Sequence, residues 1–353
     1  MKEMTLRTKL WIAAAAVMLL MALVTTAYLH TASVSVSAEV VPLPTETLVP
    51  TATAEPTFTP SPTPTPTPVP TPFTIAWITD TQTLTMYESL AEAIVPMFRW
   101  VEQTREEYNT VALVHTGDLV ENGWNQKYWD RINAGLAEIG TDLPFIPAAG
   151  NHDVAKTKKS YEPWTAQPFM ERLLPEQCYR NGEGYYACME AGGESLVIVS
   201  LGYLSCNEDG MAWAREVFDA HADSIGILAV HSYLSKSPYT AAIWTADGMR
   251  LRENVVSPCK NVRYVLCGHV RDSARHDEAF DDDGDGTEDR LVIALRHNEQ
   301  DRRWPDQVGW LRMLTFDPIA RSLTVNTYSP VLDRNYTVKD KIEEENFIIE
   351  NAF

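Results

Sequence analysis

Residues 145–153 read FIPAAGNHD, a short apolar run that stops at Gly150 and delivers the chain to Asn151, His152 and Asp153. An apolar run closed by glycine reads as a buried strand, here ending in an amide, an imidazole and a carboxylate. The same arrangement recurs on both sides. Residues 73–82 (FTIAWITDTQ) end in Asp80-Thr81-Gln82, and residues 110–118 (TVALVHTGD) end in Gly117-Asp118. Further on, 225–231 (IGILAVH) ends in His231, and 263–271 (RYVLCGHVR) ends in Gly268-His269-Val270-Arg271.

Helical patterns separate several of these runs, at Tyr87–Glu107, Gln126–Ile139 and Gly210–Ala222. More β-rich runs lie at Leu196–Leu201, Leu291–Leu295, Leu311–Phe316 and Leu323–Tyr328. Strands alternating with helices predict an α/β domain with parallel strands, and the last runs, lacking helices between them, predict antiparallel hairpins. The carboxyl ends of strands in an open α/β sheet face a shared crevice, so residues far apart in sequence meet there. Carboxylate, amide oxygen and imidazole together suit divalent transition metals such as Mn, Fe or Zn. One such ending proves little: Asp80 alone would read as a helix cap, and His115, His221, His276 and His297 are read as ordinary polar residues. Five endings in this order read as a metal site. The glycines beside Asp118, Asn151 and His269 are expected to let the backbone turn sharply at the crevice.

The series resembles the calcineurin-like metallophosphoesterase family, whose signature runs D-x-H, G-D-x-x-D/N, G-N-H-D/E, a lone H, then G-H-x-H. The resemblance covers residues 73–330, with Gly150-Asn151-His152-Asp153 its most specific piece. It implies an α/β fold of two mixed β-sheets in a sandwich flanked by helices, in a domain spanning 73–337. It also implies one or two metal ions, two in most of the family, with a metal-held hydroxide attacking phosphorus in line. Residue by residue, it makes Asp118 the bridging ligand and Asn151, His231 and His269 the remaining ligands of one metal. Asp80 and the amide oxygen of Gln82 fall to the other. His152 becomes the imidazole that assists the transition state or leaving group, and Asp153 the carboxylate that orients it.

Two departures stand out. The first motif is Asp80-Thr81-Gln82, as in an exported bacterial branch that this chain resembles, and the last is Gly268-His269-Val270-Arg271. Both missing histidines belong to the same metal, so that site is expected to be weak, harder in its preference, or empty. Arg271 stays protonated and cannot ligate, but its planar fork suits a substrate phosphate. The implied activity is metal-dependent hydrolysis of a phosphate monoester or diester, on a phosphorylated small molecule or a surface substrate. The alternative is a degenerate surface binding module with one metal and little activity.

Outside these motifs, Asp281, Asp283 and Asp285 alternate before Gly286 with Asp289 after, a pattern that reads either as a short calcium loop or as an acidic surface turn. Trp124 and Trp129 follow the Asp118 loop and either line a substrate wall or pack in the core. Cys178 and Cys188 flank a Gly-rich turn and form the best local disulfide pair among five cysteines. A net charge of −19 argues against a duplex nucleic-acid partner, because such binding needs a basic face.

At the amino end, Lys2, Arg7 and Lys9 precede an uncharged apolar run, Leu10–Leu29, long enough to span hydrocarbon. Residues 1–38 read as a signal peptide, with Val36-Ser37-Ala38 available for cleavage, or as an uncleaved signal anchor. Eleven of the 22 prolines fall between Pro42 and Pro72, alternating with threonine, so 39–72 reads as an extended stalk. The chain is therefore expected outside the cell, either secreted or held at the surface by its N-terminal segment. The acidic tail, 338–353, is expected to pack as a late strand or to fray.

Overall fold

Strand β1 (Phe73–Ile78) is buried on both faces, with Phe73, Ile75 and Trp77 on one side and Ala76 and Ile78 on the other. A strand of this kind needs a second sheet over one face and helices over the other. The computed structural model, which describes residues 70–236, 243–300, 307–337 and 345–353, supplies both. The segment read as a signal or anchor, and the Thr/Pro stretch as far as residue 69, lie outside the described residues. No helix among the described residues is long and apolar enough to cross a membrane.

The first sheet joins β1 to β2 (Thr110–His115), β3 (Phe145–Pro147), β13 (Leu311–Asp317), β14 (Ser322–Ser329), β15 (Arg334–Asn335) and β16 (Asn346–Glu350). Its order is β15-β14-β13-β1-β2-β3, with β16 also on β14. Strands β1, β2 and β3 run parallel, whereas β13 lies antiparallel to β1 with Phe316 opposite Phe73. The second sheet contains β4 (Cys178–Tyr179), β5 (Gly184–Ala191), β6 (Glu194–Leu201), β7 (Ile225–Val230), β10 (Val262–Cys267), β11 (Ala274–Phe280) and β12 (Arg290–Arg296). In its order, β11-β12-β10-β7-β6-β5-β4, the four strands from β12 to β6 are parallel and the edges antiparallel. A small ribbon pairs β8 (Leu234–Ser235) with β9 (Ile243–Trp244). Both sheets are mixed, as expected.

Ile75, Trp77, Val114 and Phe316 of the first sheet meet Ile198, Ile227, Tyr264 and Leu295 of the second to form the sandwich interior. Helix α1 (Gln82–Met86) follows β1. Outside the first sheet lie α2 (Ile94–Gln103) and α3 (Gln126–Leu136), burying Phe98, Val101, Trp129 and Ile132. The turn α4 (Asn151–Val154) follows β3. Over the second sheet, α5 (Glu208–Ala220) and α6 (Ala246–Leu251) bury Met211, Phe218 and Leu251. Asn125, Asn207 and Thr245 cap α3, α5 and α6 by accepting an amide hydrogen in the first turn.

Every strand expected from an apolar run is present. Those missed in the second sheet, β4, β5 and β11, lie toward its edges, where one face is partly exposed and the pattern is diluted, and the two-residue strands β8, β9 and β15 are too short to leave a pattern. The cysteine pairing fails on register. Cys178 faces Tyr185, and Cys188 lies three residues beyond, opposite Val197. That offset is about 10 Å along the strand, against a disulfide reach of about 6 Å between Cα atoms. All five cysteines are free. Of the two outcomes open for the tail, residues Asn346–Glu350 take the strand.

Phe316 stacks on Phe73 at 5.1 Å and meets Tyr264 edge-on at 5.4 Å, linking the two sheets. Phe316→Ala should destabilise the domain by about 3–5 kcal/mol, read as a lower urea midpoint at unchanged slope.

Candidate metal centre

Asp80, Asp118 and His269 each leave a strand in the left-handed region, at φ 53°, 53° and 67°. Non-glycine residues adopt it at a cost of about 1 kcal/mol or more, and three around one crevice mark a site held by its surroundings. The Asp80 amide donates to the Gly117 carbonyl at 3.0 Å, and the Gly268 amide to the His231 carbonyl at 3.0 Å, tying the strand ends together. Gly117, at φ 99°, does provide the expected sharp turn. Gly150 and Gly268 serve a different purpose, because each leaves room for a carboxylate. A Cβ at Gly150 would lie 2.2 Å from Asp118 Oδ1, and one at Gly268 would lie 2.0 Å from Asp80 Oδ2.

The centre is organised around the His231 imidazole, which is fully buried. Its Nδ1 lies 2.9 Å from the Thr116 carbonyl oxygen. A carbonyl only accepts, so Nδ1 carries the hydrogen and Nε2 is left to face the crevice. Around Nε2 stand Asn151 Oδ1 at 3.0 Å, His269 Nδ1 at 3.1 Å and Asp118 Oδ2 at 3.2 Å. Four electron-rich atoms facing one another repel unless positive charge sits among them. A proton on Nε2 serves one neighbour at a time, whereas a divalent ion serves all four. Burial pushes the His231 imidazole down, but Asp118 outweighs it and raises the pKa to about 9. Burial likewise pushes Asp118 up, yet His231 and His152 leave it below the usual carboxylate value.

Asp80 and Gln82 flank this cluster. The Gln82 amide nitrogen donates to Asp118 Oδ2 at 3.4 Å, and its oxygen is buried without a partner. An orphaned buried oxygen at that place fits a cation. Both Asp80 oxygens accept the His269 amide at 3.1 Å, and Oδ2 also accepts the Thr79 hydroxyl at 2.7 Å. A buried relay stands behind that bond. Trp77 Nε1 donates to Thr116 Oγ1 at 2.9 Å, which donates to Thr79 Oγ1 at 2.7 Å. Indole N–H only donates, so the relay has one direction and ends on Asp80. Burial, with Asp118 close by, still pushes Asp80 up to about 7.

The structure corrects the role expected of Asp153. Its oxygens accept the amides of Gly150 at 2.7 Å, Val120 at 2.9 Å and Leu119 at 3.2 Å, clamping the Asp118 loop to the Asn151 turn. It therefore positions backbone and does not orient the imidazole. That place belongs to Glu121, whose carbonyl and carboxylate oxygens lie 3.0 and 3.1 Å from His152 Nδ1. Lys156 in turn pairs with Glu121 at 3.0 Å. His152 Nε2 faces Asp118 Oδ2 at 3.9 Å, and the His152 amide donates to Asp118 Oδ1 at 2.8 Å.

The sequence reading missed Glu121, although it stands three residues after Asp118 in the same motif. Tyr203 was missed too: it follows β6 and packs on His231 and His269 at ring distances of 6.2 and 6.3 Å. His115, read as ordinary, is buried, accepts the Gly117 amide at 3.2 Å and contacts the Thr81 hydroxyl at 3.3 Å. Arg271 lies exposed just beyond His269. Trp129 packs in the core, while Trp124 is 40% exposed beside the loop. In the β11–β12 turn, Asp281, Asp283 and Asp285 bring oxygens within 4.8 Å of one another. Asp289 does not join them; its Oδ2 accepts the Asp282 amide at 2.8 Å.

Residues 73–271 match the family model described as calcineurin-like phosphoesterase. An uncharacterized protein of Bacillus subtilis (strain 168), YvnB, is 31% identical over 270 residues, which is 75% of this chain. The chain spans only 20% of that relative's length. Among solved structures, a purple acid phosphatase, PPD1, from yellow lupin (Lupinus luteus) seeds aligns with TM-score 0.53 and 13% identity. That alignment covers 79% of this chain and 54% of the lupin protein, and shows a shared fold.

Thr116→Val cuts the relay without emptying the core. Metal affinity should fall about 10–100-fold, measured by competition with a chromophoric chelator, and the unfolding midpoint should fall as well, since the buried Trp77 N–H loses its acceptor at a cost of about 1–3 kcal/mol.

Proposed function

The chain belongs to the calcineurin-like phosphoesterase family, and from that premise we propose that it is a metal-dependent hydrolase of phosphate esters. One observation supports this above the others: Asn151, His269 and Asp118 converge on His231 Nε2 at 3.0–3.2 Å. Asp118, Asn151, His231 and His269 would hold one divalent ion, with Asp80 and Gln82 offering oxygens to a second. Such an ion supplies positive charge for phosphoryl oxygens and a nucleophile at neutral pH.

The chain's own residues account for the rest of the chemistry. The Thr116 carbonyl fixes the His231 tautomer, so its ligating nitrogen is oriented in advance. His152 Nε2 lies toward the crevice, where it would donate a hydrogen to a phosphoryl or leaving-group oxygen. Its Nδ1 rests on Glu121, which holds the ring with Nε2 toward the crevice. Trp77, Thr116 and Thr79 steady Asp80, and Asp153 keeps the two central loops in register. The proposed substrate is a phosphorylated small molecule or surface group. We also read the chain as exported and surface-tethered, a reading supported by the composition of residues 1–72 alone.

The glutamine at position 82 and the arginine at 271 favour a second reading, a one-metal binding module with little activity. The two readings separate on purified full chain, stripped by chelator, reloaded with Mn²⁺ and offered a panel of aryl phosphates. Metal-dependent turnover supports the hydrolase; one tightly held ion without turnover supports the module. If turnover is seen, His152→Ala should lower kcat about 10²–10⁴-fold. Glu121→Gln should lower it about 10-fold or more, because the imidazole loses the carboxylate that orients it. Undiminished hydrolysis by His152→Ala would refute the assignment.

A further inference from the structure

At the pole opposite the metal centre, where β7 and β10 begin, lies a cleft of about 530 Å³ whose lining includes Lys260, Arg263, Arg321, Glu194, Asp219 and Asp223. Arg263 is its anomaly. The residue sits at a register shift between Val262 and Tyr264 in the β10–β7 pairing, and such irregularities re-aim a side chain. Its guanidinium is half-buried, yet among the described residues it has no hydrogen bond or ion pair. Burial and the neighbouring Arg290 hold it below the usual arginine value, and Arg321 adds to the repulsion. The Asp282 carboxylate shares that field but is already forked by Arg290 at 2.8 and 2.9 Å. Arg321 rests its guanidinium over the Phe353 ring at 5.6 Å, and Lys260 donates to the Asp282 carbonyl at 2.7 Å.

A guanidinium half out of water, unpaired among the described residues and facing other cations, is costly to place. An oxyanion between planar forks relieves that cost, since each guanidinium presents parallel donors to two oxygens. We propose that this cleft binds a phosphate-type oxyanion between Arg263 and Arg321, with Lys260 beside it. The carboxylates of Glu194, Asp219 and Asp223 limit what fits. They pair with none of these three cations, so they would repel a multiply charged ligand and accept an ammonium group. A singly charged phosphodiester, such as a headgroup bearing an amine, matches this lining better than free phosphate does. The cleft shares no residue with the metal centre, so this site stands apart from the hydrolase reading.

Chelator-treated full chain titrated calorimetrically with glycerophosphoethanolamine, and separately with inorganic phosphate, tests it. Saturable binding weakened roughly tenfold or more in Arg263→Gln, with the unfolding midpoint kept, supports the cleft. Tighter binding of the phosphodiester identifies a headgroup as the source, and tighter binding of phosphate identifies the free ion. Asp118→Asn should leave the titration unchanged. If Arg263→Gln fails to fold, Arg321→Gln, altered at an exposed position, reads the same loss. Equal affinities in wild type and both variants, or no binding at 10 mM ligand (about 3 kcal/mol), would overturn the proposal.

Discussion

The structure depends on one electrostatic constraint: two imidazole nitrogens, a carboxylate oxygen and an amide oxygen face one another in one crevice, with His231 and Asp118 buried at its floor. Unrelieved, that arrangement would push the strand ends apart. The surrounding protein is built to hold it closed. The Thr116 carbonyl takes the far side of His231, Asp153 gathers three amides from two loops, and Asp80 receives the His269 amide across the gap between the sheets. Each contact joins a strand end of one sheet to a neighbour, so the site and the sandwich edge are one construction.

The left-handed backbone at Asp80, Asp118 and His269 follows from the same constraint. A residue that continues in strand geometry points its side chain above or below the sheet. Turning into the left-handed region aims it along the strand axis, into the crevice. The strain is local, and it is offset by inter-strand amide bonds made at the same residues. Removing a hydrogen bond here therefore loses a contact and lets strained backbone relax, so the geometry of the site suffers more than the stability of the fold.

Much of this was legible in the linear sequence because burial on both faces leaves near-continuous apolar runs, and five of those runs end in ligand-type residues. Glu121 escaped notice because it follows no strand, and its contact with His152 depends on how two loops pack. Asp153 was misread for a related reason. A carboxylate beside a histidine in sequence invites pairing, but on the short turn Asn151–Val154 successive side chains diverge, and Asp153 turns inward to backbone amides. The cysteine pair failed because a hairpin's register is set by its turn and by cross-strand packing, which spacing alone does not fix.

The sequence by itself determined the order of buried strands, their polar endings and the kind of ions those endings suit, because hydrophobic periodicity and ligand chemistry are local properties of the chain. It also displayed the changed residues, Gln82 and Arg271. Only the tertiary structure decided which nitrogen of His231 faces the crevice, which carboxylate supports His152, and that Gly150 and Gly268 make room for oxygens where Gly117 makes a turn. It alone showed Arg263 in a cleft at the far pole, unpaired among the described residues. Those facts concern distances between residues tens to hundreds of positions apart, and such distances exist only after the two sheets have packed.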